Sequence, residues 1–144
     1  MSRRHGKDGK IDLLKKVPLF ANLDKHELEE IGRHADEISV GEGTVVVSQD
    51  APGNSFYVIV EGHADVMRDG QKLAELKDGD FLGEMALLED LPRSATVVTT
   101  VPTRLLEMHR RDFSVVLDNA PHLARKMLAT LAHRLRHADE ELVT

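Results

Sequence analysis

A mainly β fold with helices at both ends is expected from three features of these 144 residues. Short runs rich in Val, Ile, Thr, Tyr and Phe succeed one another from about Glu37 to Met108, separated by Gly, Asp, Asn and Pro. Asp69-Gly70 stands between Val66-Met67-Arg68 and Gln71-Lys72-Leu73, the signal of a two-residue type I′ hairpin whose central residues both take positive φ. On either side of this region the apolar residues fall at helical spacing. Seven or eight strands at such a pitch imply a sandwich or a jelly-roll barrel rather than a parallel sheet.

Taken in order, residues 1–9 are basic, polar and glycine-containing, and are expected to be a disordered tail. Residues 10–144 suffice for one domain with a real core. Within it, 10–36 form a helical entry segment, 37–109 the β region and 110–144 the C-terminal helices. Ile11, Leu14 and Val17, followed by Pro18, predict a short helix and a turn. Asp24 is placed to cap a helix through about His34, with Glu27 as capping-box partner and Leu28 and Ile31 facing inward. Strands are expected at 38–40, 44–49, 55–60, 64–68, 72–76, 95–100 and 104–108, with a second turn at 50–54. A short helix at 111–117 precedes a longer one opened by Pro121 and running to about Leu142. In the long helix Ala124, Leu128, Leu131, Leu135, Ala138 and Leu142 form a heptad-like seam, suited either to packing on the barrel or to a homodimer.

Composition removes several classes of function. Without Cys there is no disulfide framework, thiol nucleophile or Cys-based metal site, and a reducing, cytoplasmic compartment is expected. No apolar run approaches the roughly 20 residues of a membrane span, and Met1–Gly6 lacks the apolar core of a signal peptide. A formal net charge of −6 argues against general nucleic-acid binding. Arg104, Arg110, Arg111, Arg125, Lys126, Arg134 and Arg136 are read as solvated helix faces, and a helix-turn-helix would need chain beyond Thr144, so no direct DNA binding is expected. A cupin-type jelly-roll metalloenzyme would need His-x-His on its strands. The chain has none, and the β region offers only His63 and, at its last position, His109. His133 and His137, four apart on one helix face, lack a third ligand and are taken as surface residues, so no metal is expected.

The chemistry concentrates in Phe81-Leu82-Gly83-Glu84-Met85-Ala86-Leu87-Leu88 and, after Glu89-Asp90-Leu91-Pro92, in Arg93-Ser94-Ala95-Thr96-Val97. Between residues 41 and 100 there are eleven acidic residues against four basic ones, so an anion entering this region must be held by local donors. Arg93 is the one arginine between 69 and 103, and its guanidinium can fork two phosphate oxygens. Free amides at the start of the turn from Glu84, beside the bare Gly83, complete a phosphate cradle. Glu84 must then point elsewhere, and a ribose 2′-hydroxyl is its fitting partner. An acid for sugar and an arginine for phosphate together describe a nucleotide of few charges.

These runs, with Pro52-Gly53-Asn54-Ser55-Phe56-Tyr57-Val58-Ile59-Val60-Glu61-Gly62 upstream, resemble the cyclic nucleotide-binding domain family over about residues 11–142. The resemblance implies an eight-stranded β-roll with flanking helices that binds cyclic AMP or cyclic GMP without turnover. Arg93 and the Ala86 amide would hold the cyclic phosphate, and Glu84 and the Gly83 amide the 2′-hydroxyl. Met85 and Ser94 complete the cassette, while Val66 and Leu73 would line the purine and ribose. The Arg93-Ser94-Ala95 run is similar to the family's bacterial activators, which favour cyclic AMP. By the same likeness Leu87 would meet Phe113 as a hinge, and the helix from Pro121 would close as a lid carrying Leu135 and Asp139. A sensor or regulatory module acting on an unidentified effector is the function implied, with a ligand-free scaffold on the same fold as the alternative.

Overall fold

The computed structural model describes the backbone of residues 7–84 and 92–143 and the side chains of residues 11–84 and 92–136. Helix α1 (Lys7–Lys15), a 3-10 turn (Pro18–Phe20) and helix α2 (Lys25–His34) come first. The described strands are β1 (Asp36–Val40), β2 (Val45–Val47), β3 (Ser55–Glu61), β4 (His63–Arg68), β5 (Gln71–Lys77), β6 (Phe81–Leu82), β7 (Thr96–Thr99) and β8 (Thr103–His109). Helices α3 (Arg110–Asn119) and α4 (Pro121–Val143) follow.

The strands make two four-stranded sheets, ordered β1-β8-β3-β6 and β2-β7-β4-β5, with antiparallel pairing throughout. Mainly β architecture with flanking helices is therefore what the chain adopts, as two apposed sheets rather than one closed barrel. The Asp69-Gly70 turn joins β4 to β5 with φ of 52° and 80°, both positive as a type I′ turn requires.

Strand β3 shows why the helices sit where they do. Its sequence Ser-Phe-Tyr-Val-Ile-Val-Glu is nearly continuously apolar, as expected of a strand covered on both faces. Phe56 and Val58 join Phe81, Leu106 and Met108 in a cluster shared with the N-terminal and C-terminal helices. Ile59 points the other way, into an inter-sheet core with Val47, Ala64, Leu76, Leu82, Val97 and Leu105. On the helical side Phe56 stacks on Phe113 of α3 at 4.5 Å and 24°, and meets Phe81 at 5.7 Å and 42°.

Polar contacts fix the helices to one another. Asp24 Oδ1 accepts from the Glu27 amide at 2.8 Å, and Glu27 Oε1 accepts from the Asp24 amide at 3.4 Å, which is the expected capping box. The buried Glu27 carboxylate also accepts the His122 amide at 2.9 Å and faces His122 Nδ1 at 2.6 Å, tying α2 to the start of α4. His34 Nδ1 lies 2.9 Å from Asp112 Oδ1, tying α2 to α3.

One expectation needs correction, and one alternative narrows. Helix α1 begins at Lys7, inside the segment 1–9 expected to be a tail. Ile11 and Leu14 are buried in the helical core, and once that turn is anchored each further residue adds one backbone bond for one residue fixed. In α4 the expected seam splits. Leu123 and Met127 are buried and Leu131 packs on the core, whereas Leu128 and Leu135 are 66% and 64% exposed. At about 3.6 residues per turn, positions spaced by four follow the barrel-facing stripe, and Leu128 and Leu135 lie off it.

Candidate functional site

Strand β6 delivers the chain to the site. Its pairing with β3, Val58↔Phe81 and Tyr57↔Leu82, puts Phe81 on the helix side and Leu82 in the inter-sheet core. The backbone then turns at Gly83 with φ of 94°. A Cβ there would lie 2.5 Å from Arg93 Nη1 and 2.8 Å from the Ser55 carbonyl oxygen, so backbone conformation and space both demand glycine.

The Arg93 guanidinium fills that gap. Nη1 donates to the Gly83 carbonyl at 3.1 Å and Nη2 to the Ser55 carbonyl at 2.6 Å. The side chain is buried, and Nε, also buried, has no hydrogen-bond partner among the described residues. Burial pulls the guanidinium pKa down, but an arginine side chain keeps its charge in any protein. Close by, Tyr57 donates to Glu107 Oε2 at 2.8 Å, and burial together with that carboxylate pushes its pKa up to about 12.

Glu84 is 6% exposed, and burial raises its carboxyl above the ordinary range against the opposing pull of a backbone hydrogen bond, Arg134 and Arg93. Its Oε1 lies 3.6 Å from Arg134 Nη1 of α4. Arg93 thus donates to neutral carbonyls while Glu84 faces a different arginine, which is not the mutual ion pair of a purely structural turn. Between them lies a cavity of about 180 Å³ with apolar walls from Val47, Val66, Leu76 and Val97, and a polar rim of Glu84, Arg93, Ser94 and Arg134.

Because its folded-state pKa is raised, Glu84 favours folding below its ordinary value of 4.5 and opposes it as pH climbs through the raised value. Glu84→Gln is therefore expected to raise the Tm of the unliganded chain by about one to three degrees near neutral pH, the gain vanishing toward about pH 4. Paired melting curves across that range check it.

Of the expected site residues, Gly83, Glu84, Arg93, Ser94 and Val66 meet at this one cavity. Leu73 does not: it is 49% exposed on β5. Leu76 is the buried residue of β5, opposite Ala64, while Leu73, between Ala74 and Lys72, is the extra residue of a bulge and pairs with no residue of β4. Leu135 is exposed rather than over the cavity. Met85, Ala86 and Leu87, and the side chain of Asp139, lie outside the described residues. Phe113 is a buried core residue stacked on Phe56. Asp24, Glu27 and His122 are close enough to share a cation, but they are engaged in the capping contacts described above.

Arg134 is the site residue that sequence reasoning missed. Its Cζ sits 4.6 Å over the Phe81 ring, and Nη2 reaches the Phe81 carbonyl at 3.4 Å. The signal was spacing: Lys126, Thr130 and Arg134 follow one another at intervals of four beside the buried stripe of α4. Lys126 Nζ donates to the Pro18 and Ala21 carbonyls at 3.0 and 2.6 Å, which marks that stripe as facing inward.

A family model described as cyclic nucleotide-binding domain matches residues 37–120, both sheets and all of α3. A cAMP-dependent protein kinase regulatory subunit from Schizosaccharomyces pombe is 33% identical over 114 residues, which are 78% of this chain and 28% of that protein. The catabolite activator protein of Thermus thermophilus superposes with a TM-score of 0.77 at 33% identity, over 87% of this chain and 61% of that one. The regulatory subunit of a cAMP-independent protein kinase A from Trypanosoma brucei has the same fold, with a TM-score of 0.75 at 24% identity over 86% of this chain and 45% of that one. The chain thus spans less than two thirds of each relative. Among the described residues no helix is long and apolar enough to cross a membrane. By the matched model, the two sheets and the cavity that Gly83, Glu84 and Arg93 surround, the chain belongs to the cyclic nucleotide-binding domain family.

Proposed function

We propose that the chain is a non-catalytic, cytosolic sensor of a cyclic nucleotide, taking cyclic AMP in preference to cyclic GMP and needing no metal. One observation carries the proposal: the buried Arg93, which lines the cavity, spends its described guanidinium bonds on two carbonyls and leaves the buried Nε unpaired. A buried cation with a spare donor is costly without an anion, and a cyclic phosphodiester brings a single negative charge. Glu84 offers the sugar an acceptor on the same rim, and the apolar walls suit a purine. A cAMP-independent kinase subunit shares the fold, so the ligand is argued from these residues and supported by the cAMP-dependent relatives.

The signal leaves through α3 and α4 to an effector on another protein or domain. Exposed Leu128 and Leu135 are the α4 surface available to that effector or to a second copy, and light scattering with and without nucleotide distinguishes the two. Isothermal titration with cyclic AMP, cyclic GMP and 5′-AMP tests the ligand. Sub-micromolar cyclic AMP binding, weaker for cyclic GMP and weaker still for 5′-AMP, is expected. Absence of heat with all three overturns the sensor and leaves a scaffold.

A further inference from the structure

Two arginines take hold of one short segment. Residues 53–55 lead the loop after β2 into β3, and each of their three carbonyls accepts from an arginine: Gly53 from Arg110 Nη2 at 2.7 Å, Asn54 from the Arg110 amide at 2.8 Å and Ser55 from Arg93 Nη2 at 2.6 Å. The Ser55 hydroxyl also lies 3.1 Å from Nδ1 of His109, the residue before α3. Pairing of β3 with β8 starts at Ser55, opposite His109, so the backbone just outside the sheet is held from the α3 side. Burial foremost, and the like charge of Arg110 after it, lower the Arg93 pKa, which places the two guanidinium groups within one another's field. Arg110 is not among the residues that line the cavity.

We propose that Arg110 is a positioning residue for the ligand's phosphate: it holds the Gly53 and Asn54 carbonyls, this fixes the Ser55 carbonyl beside them, and that carbonyl together with Gly83 sets the plane of the Arg93 guanidinium. The inference rests on the sensor function proposed above. A guanidinium recognises a phosphate as a planar fork, so its orientation matters as well as its charge. With the loop side of Ser55 loosened, Arg93 keeps its charge but the fork turns away from the geometry a phosphodiester needs. Arg110 therefore matters for the ligand only while residue 93 is a guanidinium, because an ammonium has no plane to set.

The test is a double-mutant cycle read by isothermal titration with cyclic AMP, on the native chain, Arg110→Met, Arg93→Lys and the double variant. Arg110→Met is expected to weaken binding about three- to tenfold in the native background, the net size of one hydrogen bond, and by less than about twofold in Arg93→Lys. Arg110→Lys, which keeps the charge and a donor for Gly53, is expected to fall between the native chain and Arg110→Met, and takes its place in the cycle should Arg110→Met not fold. Equal losses in the two backgrounds, or none in either, overturn the proposal, because a residue that acts only by its charge or on the stability of the fold weakens both alike. Side-chain NMR of the ligand-free proteins separates this from failure of the sensor reading. Rotation of the Arg93 guanidinium about its Nε–Cζ bond is expected to be slow in the native chain and faster in Arg110→Met. An unchanged rate overturns the positioning role whether or not a ligand binds. If no nucleotide binds the native chain, the sensor function falls, and the faster rotation alone then carries the hold of Arg110 on Arg93.

Discussion

Arg93→Lys is expected to weaken cyclic AMP binding by roughly 10- to 150-fold. Lysine keeps the positive charge, so the loss isolates geometry from charge. A guanidinium is a planar fork with five donors, and here two of its nitrogens are bonded to the Gly83 and Ser55 carbonyls while the buried Nε has no partner among the described residues. An ammonium at the end of a flexible stem cannot make both carbonyl bonds and also face a phosphate. Charge-assisted hydrogen bonds contribute about 1.5–3 kcal/mol each, and losing one of them gives the stated range at tenfold per about 1.4 kcal/mol. The same substitution leaves a buried carbonyl short of a partner, which costs about 1–3 kcal/mol of stability. Calorimetric titration and a melting curve on the same sample read the two effects separately. Affinity within threefold of the native chain would show that Arg93 is a structural clamp and the anion binds elsewhere.

What the sequence disclosed and what it withheld follow from the range of the interactions involved. The Asp24 capping box and the Asp69-Gly70 hairpin are local, set by the residue's own side chain or backbone, and the structure has them where the sequence places them. Gly83, Glu84 and Arg93 were also legible, because residue types with such distinct chemistry within a dozen positions have few other uses. Leu73 lies off the cavity as the extra residue of a bulge on β5, between Ala74 and Lys72, which pair with Val66 and Met67, and nothing in Gln71-Lys72-Leu73 announces it. The barrel-facing stripe of α4 was not legible because a 4-3 alternation and a straight run of fours share Leu131, and only the barrel beneath decides which of them it buries. Arg134 was hidden for the same reason, since a basic residue on an amphipathic helix reads as solvated until its neighbour is known.

Phe56→Ala is expected to lower Tm by roughly 10–20 °C, because large-to-small changes at a fully buried phenylalanine cost about 3–5 kcal/mol in a chain of this size. Phe56 has no exposed surface, and its ring is the middle of a stack that runs from Phe81 on β6 to Phe113 on α3. Arg134 of α4 covers the far face of that stack at Phe81, and the neighbouring Ser55 carbonyl accepts from Arg93. Truncation therefore opens a cavity in the helical core at the point where the site, α3 and α4 meet. Phe56→Leu refills most of that volume without the ring, and is expected to recover more than half of the lost Tm. Any loss of nucleotide affinity that persists in Phe56→Leu then reports the stacking rather than the packing. Phe56 and Phe113 share one contact, so removing both rings should cost less than the sum of the single losses, by about 0.5–1.5 kcal/mol in a double-mutant cycle. Strict additivity of the two would mean that the ring contact contributes nothing, and that α3 is held to β3 by the aliphatic core alone.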